Sequence, residues 1–168
     1  QGKMNNVDKL PYIEYKNKIE FDELCKKFEK YRTRVFKKNS YLLIKLISII
    51  PLLNAFKDIK IYIYDQNIIL KVSIFNGLSL SDGKNYDIKM HSESFSFILE
   101  NEFGFDTLTV NSNFECNQLG FSKIAKLMSL GSLNAMGINI SFSFIFRPDI
   151  YLLFIQKLFK VQKNILDE

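Results

Sequence analysis

The stretch that decides the fold is residues 86–137, YDIKMHSESFSFILENEFGFDTLTVNSNFECNQLGFSKIAKLMSLGSLNAMG. The spacing of its apolar residues changes between a period of two and a period near 3.6, which predicts a strand, a helix, a strand and a helix in that order. These elements are expected over 86–90, from Ser92 as helix cap to near Gly104, over 107–114, and from Phe121 to the glycines at 131 and 137. Because reactive side chains are sparse, the stretch indicates an apolar cradle under helices rather than an active site.

The residues before this stretch predict two helices and a β-hairpin. Apolar residues recur at three- and four-residue spacing over 21–38, which is typical of an amphipathic helix. The apolar run 41–50 predicts a buried helix, because it stops at Pro51 and is much shorter than the roughly 20 residues that span a membrane. Residues 59–64 and 68–75 alternate around a short polar turn and predict the hairpin.

Three further elements complete the predicted architecture. The strand over 86–90 is expected to extend the hairpin into an antiparallel meander. Residues 138–145 alternate apolar and polar side chains, so a strand here should complete the sheet. A last helix is expected over 149–164, with a first half so apolar that it is either enclosed by the molecule or docked on a partner.

Together these elements predict the α+β class, with a mainly antiparallel sheet of about five strands covered by helices. A length of 168 residues and an apolar share of 47% suit one domain with one core. Gln1 and Gly2 are typical of what a cleaved expression tag leaves, so residues 1–4 are interpreted as a tag remnant. Residues 5–56 are expected to form a helical arm that packs on the α+β core of residues 57–168.

The positive charge of the chain is concentrated near its N-terminus. Residues 1–40 carry 11 Lys and Arg against 6 Asp and Glu, whereas the rest of the chain is balanced at 12 against 12. A basic helix surface could attract an anionic membrane or nucleic acid, but acidic residues interrupt it and a solvated helix face explains it as well. The pattern therefore argues against nucleic acid as a partner. The basic surface comprises Lys26, Lys27, Lys30, Arg32, Arg34, Lys37 and Lys38.

The inventory of reactive side chains argues against an independent enzyme. His91 is the sole histidine, and neither Ser92 nor Ser94 is spaced to form a nucleophile and base with it. The chain has no glycine-rich phosphate-binding motif and no metal-ligand spacing, so no catalytic residues, no metal and no cofactor are expected. Cys25 and Cys116 are expected to be free thiols, which together with the lack of a signal segment favours the cytoplasm.

The element order over about residues 57–165 resembles the sterol-carrier-protein-2-like domain. The closest points are the helix SESFSFIL (92–99), the strand TLTVNSNF (107–114) and the helix 121–130. The segments GFDTLTVN (104–111) and LNAMG (133–137) also resemble the C-terminal accessory region of some metallo-β-lactamase-fold hydrolases. One departure is that Ser112 or Asn113 stands where the family usually has glycine before its apolar helix. The resemblance implies a domain that holds fatty acyl chains or sterols between sheet and helices, or that assists a catalytic domain.

Three functions from different classes follow from this sequence. The leading prediction is a noncatalytic module that binds a fatty acyl chain, a sterol-like lipid or another apolar small molecule. The second is an interaction or dimerisation domain, acting as a homodimer or beside a catalytic domain in the parent chain. The third is a binder of anionic membranes or nucleic acid through the basic surface. Residues expected to line the pocket of the first, or to fill the core if no pocket exists, are Phe95, Ile98, Leu99, Leu127, Met128, Met136, Phe142 and Phe144.

Overall fold

In the part of the chain that the structure describes, two helices precede four consecutive strands, which are followed by two helices, a fifth strand and a further helix. The computed structural model describes residues 15–51, 53–111 and 113–143. The elements within these ranges are α1 (Phe21–Lys38), α2 (Tyr41–Ile49), β1 (Ile59–Ile63), β2 (Ile68–Ser73), β3 (Gly77–Leu80), β4 (Ile88–Met90), α3 (Ser92–Glu100), α4 (Gly104–Asn111), β5 (Phe114–Cys116) and α5 (Gln118–Ala135). The predicted α+β class is confirmed.

Among the described residues, the sheet has five strands in the order β3-β2-β1-β4-β5. The predicted hairpin is confirmed, since Ile61 of β1 faces Leu70 of an antiparallel β2. The predicted meander is wrong in its third strand. Gly77, with φ +89, begins β3, which continues the hairpin, while β4 crosses to the other side of β1 and runs parallel to it. The positive φ is available to glycine without a Cβ clash, which allows this tight entry into β3.

Helices cover one face of this sheet and enclose the core with it. Ile59, Ile61 and Ile63 of β1 are fully buried, and the residues between them point to the opposite face. The stripe predicted for α1 is confirmed, because Leu24, Phe28, Tyr31 and Val35 are all buried. Residues of α3 and α5, including Phe95, Ile98, Ile124, Leu127 and Met128, complete the same apolar cluster.

The strand predicted over 107–114 is wrong, because most of these residues form helix α4. The β-branched residues Thr107, Thr109 and Val110 favour a strand, but Phe105 and Leu108 lie one helical turn apart and are both buried. The hydroxyls of Thr107 and Thr109 bond the carbonyls of Phe103 and Asp106, as threonine commonly does in helices. Tertiary burial of the helical face therefore outweighs strand propensity here.

The strand predicted over 138–145 is also wrong within its described part. Residues 138–143 contain no strand, and β5 takes the fifth place in the sheet. The backbone of Ile140 instead bonds the junction between α1 and α2: its N–H donates to Asn39 Oδ1 at 2.7 Å, and its carbonyl accepts from Ser40 N at 2.7 Å. Phe144 and the helix predicted over 149–164 lie outside the described residues.

The boundaries of α3 and α5 differ from the predicted ones. His91 rather than Ser92 caps α3, because His91 Nδ1 accepts a hydrogen bond from Glu93 N at 3.1 Å. Helix α3 ends at Glu100, and Gly104 is the first residue of α4 rather than the end of α3. Helix α5 begins after its cap Asn117 and continues through Gly131, because an isolated glycine costs a helix only about 1 kcal/mol relative to alanine.

Tyr31 yields a prediction about stability at alkaline pH. Its hydroxyl is buried beside the Gly131 backbone without a hydrogen bond of normal geometry to any described residue, and burial raises its pKa to about 12. Between about pH 10 and pH 12 the unfolded chain releases this proton while the folded chain retains it, so stability falls as pH rises, by roughly 1.4 kcal/mol per unit. We expect Tyr31→Phe to be as stable as the wild type at pH 7, or up to about 1 kcal/mol more stable. Its free energy of unfolding should also fall less steeply as the pH rises above about 10. Urea unfolding at pH 7, 10 and 11 measures the stability at neutral pH and its fall at alkaline pH.

Tyr86→Phe is the matched control, since Tyr86 is half exposed. In this variant the free energy of unfolding should fall with rising pH as steeply as in the wild type. A Tyr31→Phe protein that loses more than about 1 kcal/mol at pH 7 would show that the hydroxyl makes a stabilising contact after all.

Candidate functional site

A surface cleft of about 430 Å³ lies where the residues before α1 meet α1, α3 and α4. It is larger than the cleft of about 230 Å³ beside β1 and β2. We call residues 15–20 the N-terminal strap, because they lie along one side of the cleft. The residues that line it are Tyr15, Ile19, Lys27, Glu93, Ser94, Ser96, Phe97, Glu100, Asn101, Thr107, Leu108, Asn111 and Asn113.

The outward face of α3 supplies one wall of this cleft. Ser94, Phe97 and the C-cap residue Asn101 follow one another at three- and four-residue spacing. They therefore lie on the same side of the helix. The Phe97 ring is 38% exposed although the neighbouring Phe95 is fully buried. With Ile19 and Leu108, Phe97 gives the cleft an apolar wall.

Hydrogen bonds hold the N-terminal strap against α3. The Tyr15 ring stacks on His91 with centroids 4.0 Å apart, and the Tyr15 hydroxyl lies 2.8 Å from Ser94 Oγ. The Ile19 N–H donates to Ser92 Oγ at 2.9 Å, and the Ile19 carbonyl accepts from Gln66 Nε2. The wall that the strap contributes is thus fixed to the helix it faces.

The floor of the cleft is polar and carries more negative than positive charge. Lys27 Nζ lies 2.7 Å from Ser96 Oγ, 3.1 Å from Glu100 and 3.0 Å from Glu23. Burial alone would lower the pKa of Lys27, but its hydrogen bonds to Glu23 and Glu100 outweigh burial and raise it, so the amine stays charged. Glu93 adds a further carboxylate at the strap, where it accepts from Lys16 N and Asn17 Nδ2.

The polar groups around His91 are engaged in contacts within the fold. His91 Nδ1 is occupied by its bond to Glu93 N, and Nε2 lies 3.8 Å from Asp65, too far for a hydrogen bond. Ser92 Oγ lies 2.6 Å from the Asp65 carboxylate while it accepts from Ile19 N. Each of these groups is engaged in a contact that caps α3 or holds the strap.

Neither cysteine has the environment of a reactive thiol. Burial raises the pKa of Cys25, and the nearby carboxylates of Asp22 and Glu29 raise it further. Burial also raises the pKa of Cys116. Both thiols are therefore protonated near neutral pH, and the thiolate is the nucleophilic form. Within the described ranges, no three His, Cys, Asp or Glu side chains converge on a common point that could hold a metal ion.

The residues predicted for an internal pocket are not the residues that line the cleft. Phe95, Ile98, Leu99, Leu127 and Met128 are all buried within one apolar cluster. Met136 and Phe142 are each 58% exposed. The structure thus brings five of the eight together as packed neighbours, leaves two at the surface, and does not describe Phe144.

In the predicted basic surface, three side chains are held against the domain and four occupy exposed positions. Lys27 is held in the cleft floor, Arg32 donates to the carbonyls of Ile74 and Phe75, and Arg34 donates to the Leu99 carbonyl. These three side chains fasten α1 to the rest of the domain. Exposed positions remain for Lys26, Lys30, Lys37 and Lys38. Of these, Lys38 also donates to the Asn134 carbonyl at 3.5 Å.

Sequence reasoning missed the cleft for a physical reason. Its walls meet only after folding, since the Tyr15 and Ser94 hydroxyls are 79 residues apart in the chain. One signal was present, because Phe97 lies on the face of α3 opposite to the apolar stripe of Phe95, Ile98 and Leu99. An aromatic residue on the polar face of an amphipathic helix is a usable indicator of a surface site.

The chain matches no known protein family, and searches of curated proteins and of solved structures find no significant similarity. In the part of the chain that the structure describes, no helix combines the length and apolar character needed to cross a membrane.

Proposed function

We propose that this domain is a noncatalytic binding module for an amphiphile, with the apolar tail of the ligand in the cleft between the strap, α3 and α4. The observation that carries the proposal is the apolar wall of Ile19, Phe97 and Leu108 beside a polar floor. Ligand sites combine these two features, because the apolar wall supplies affinity and a few polar groups fix the orientation.

The size of the cleft supports a small-molecule ligand. Its 430 Å³ lies within the range of about 300–1,000 Å³ that is usual for such sites. Burial of apolar surface stabilises a complex by about 25 cal/mol for each Å² removed from water. A fatty acyl chain or a sterol-like ring system that covers Phe97 would gain this contribution, whereas the packed interior supplies no comparable free surface from Phe95 or Leu127.

The charged side chains in the floor of the cleft indicate which head group the ligand carries. Two carboxylates, Glu93 and Glu100, line the cleft with the single ammonium of Lys27, which is already paired with Glu100 and with Glu23. A free carboxylate on the ligand would be repelled here, while an amide, an ester or an amine would meet acceptors and donors that suit it. We therefore propose an acyl-type ligand with a neutral or cationic head.

The resemblance described from the sequence supports a wider role for such a module. Sterol-carrier-like domains hold acyl chains or sterols and, in multidomain enzymes, serve as attachments to a catalytic domain. By that likeness, we propose that the domain holds its ligand for a catalytic domain elsewhere in the parent chain.

A matched ligand series tests the site. Decylamine, decanamide and decanoate share one tail and differ in head charge, and their affinities are measured by isothermal titration calorimetry below their micellar concentrations. We expect decanoate to bind at least tenfold more weakly than decanamide, because of the carboxylates in the floor. Phe97→Ala should weaken decanamide binding about tenfold, which is about 1.4 kcal/mol.

The controls separate the cleft from the rest of the surface. Phe142→Ala removes another exposed phenylalanine that does not line the cleft and should leave decanamide affinity unchanged. Glu100→Gln should reduce the difference in affinity between decanoate and decanamide, because it removes one negative charge from the cleft. Binding that survives Phe97→Ala, or that is lost in Phe142→Ala, would contradict the proposed site.

A further inference from the structure

Helix α2 presents an apolar face that no described residue covers. Leu42, Leu46, Ile49 and Ile50 are exposed, with Ile49 at 64%, and their spacing places them on one side of the helix. The opposite side, with Leu43 and Ile44, is buried in the core. We call the four exposed residues the α2 face. A contiguous apolar face of this kind marks a contact surface.

Ile140, three residues before the described part of the chain ends, lies beside the start of this helix. Ile140 is hydrogen-bonded to Asn39 and Ser40, the two residues immediately before α2, at 2.7 Å in both bonds. The N-terminal strap is held at the other end of α1, a helix of 18 residues and therefore about 27 Å long. Of the two chain ends outside the described residues, the C-terminal one thus begins next to α2.

The sequence after residue 143 has the composition of a complementary helix. In a helix over 149–164, Tyr151, Phe154, Ile155 and Leu158 share one side. Lysines at 157, 160 and 163 share the opposite side. Leu152 and Leu153 lie among these lysines, so the first half of this helix is apolar nearly all round and its second half is amphipathic. The apolar side that both halves share requires a covering surface.

We propose that residues 150–161 dock their apolar side on the α2 face of the same chain. The connection from 143 to 150 spans up to about 23 Å when extended, so it reaches any point of a nine-residue helix that starts at Tyr41. The tether also gives the segment an effective concentration in the millimolar range at the α2 face, which favours it over a second copy of the protein. The contact joins two apolar helix sides and leaves the lysines in solvent.

Hydrogen exchange of the whole chain, followed by mass spectrometry of its peptides, tests this contact. In the wild type, amides of residues 150–160 should exchange at least tenfold more slowly than a random coil. Leu46→Asp, on the α2 face, should remove most of that protection. The reciprocal substitution Phe154→Asp, on the other side of the proposed contact, should accelerate amide hydrogen exchange in the peptide that covers residues 41–50.

Leu119→Asp is the matched control, because Leu119 is equally exposed but lies at the start of α5, away from α2. It should leave exchange of residues 150–160 unchanged. Unprotected wild-type amides at 150–160, or protection that survives Leu46→Asp, would overturn the proposal. Protection that disappears on dilution, together with a change from dimer to monomer in light scattering, would overturn it too, in favour of a second copy as the occupant.

Discussion

Replacement of Gly120 by alanine is expected to destabilise the domain by about 3 kcal/mol, since the added methyl group would overpack a contact between two backbones. A Cβ at Gly120 would lie 2.2 Å from the carbonyl oxygen of Asp87. Asp87 cannot easily move away, because its side chain and backbone both bond Lys60 and its carboxylate pairs with Lys123. Equilibrium urea unfolding, followed by circular dichroism, measures the change in the free energy of unfolding.

Gly83→Ala provides the comparison for this substitution. A Cβ there would lie 3.1 Å from the far end of the Lys60 side chain, which can rotate away, and in ordinary contact with Ser81 Oγ at 3.8 Å. We expect Gly83→Ala to change the free energy of unfolding by less than about 0.5 kcal/mol. Equal stabilities of the two variants would show that α5 does not approach β4 as closely as the structure places it.

Replacement of Asn39 by alanine is expected to cost about 3 kcal/mol, because its amide is the centre of a buried hydrogen-bond cluster. Asn39 Nδ2 donates to the Val35 carbonyl and to Asn134 Oδ1, both at 2.7 Å. Asn39 Oδ1 accepts from Ile140 N and from Asn134 Nδ2. Alanine would leave the Ile140 N–H and the Asn134 oxygen buried without these partners. Urea unfolding measures the loss.

Asn101→Ala is the control for the cluster. The Asn101 amide donates to the Phe97 carbonyl at 2.9 Å in an exposed position, where water can replace it. We expect a change below about 0.5 kcal/mol for this variant. If Asn39→Ala were equally mild, the cluster would have to be open to water in solution.

Strong local periodicity explains which parts of the fold could be predicted. Helix α1 repeats its apolar residues over five turns and begins and ends where the pattern does. The β1–β2 hairpin alternates clearly on both strands. By contrast, residues 107–110 carry β-branched side chains on a segment that tertiary contacts fold as α4. The local pattern could not reveal that Gly104, whose Cβ would lie 2.6 Å from the Phe97 carbonyl, brings α4 tightly against α3.

The candidate site was less accessible to sequence reasoning than the fold. Apolar residues at helical spacing have the same appearance whether they fill a core or line a pocket. Phe95 and Leu127 were therefore natural candidates for a pocket, and the structure places both inside the packed cluster. The cleft instead depends on Phe97 and on a strap at Tyr15 and Ile19, whose positions follow from long-range contacts.

The strand lengths have a consequence for self-association. The outermost strands, β3 and β5, have only four and three residues, whereas β2 has six. A short edge offers few unpaired backbone groups to a strand from another molecule, and β5 also carries Glu115. Growth of the sheet into fibrils by strand addition is therefore disfavoured in the folded state. Contacts between copies at high concentration should involve helix surfaces and stay reversible on dilution.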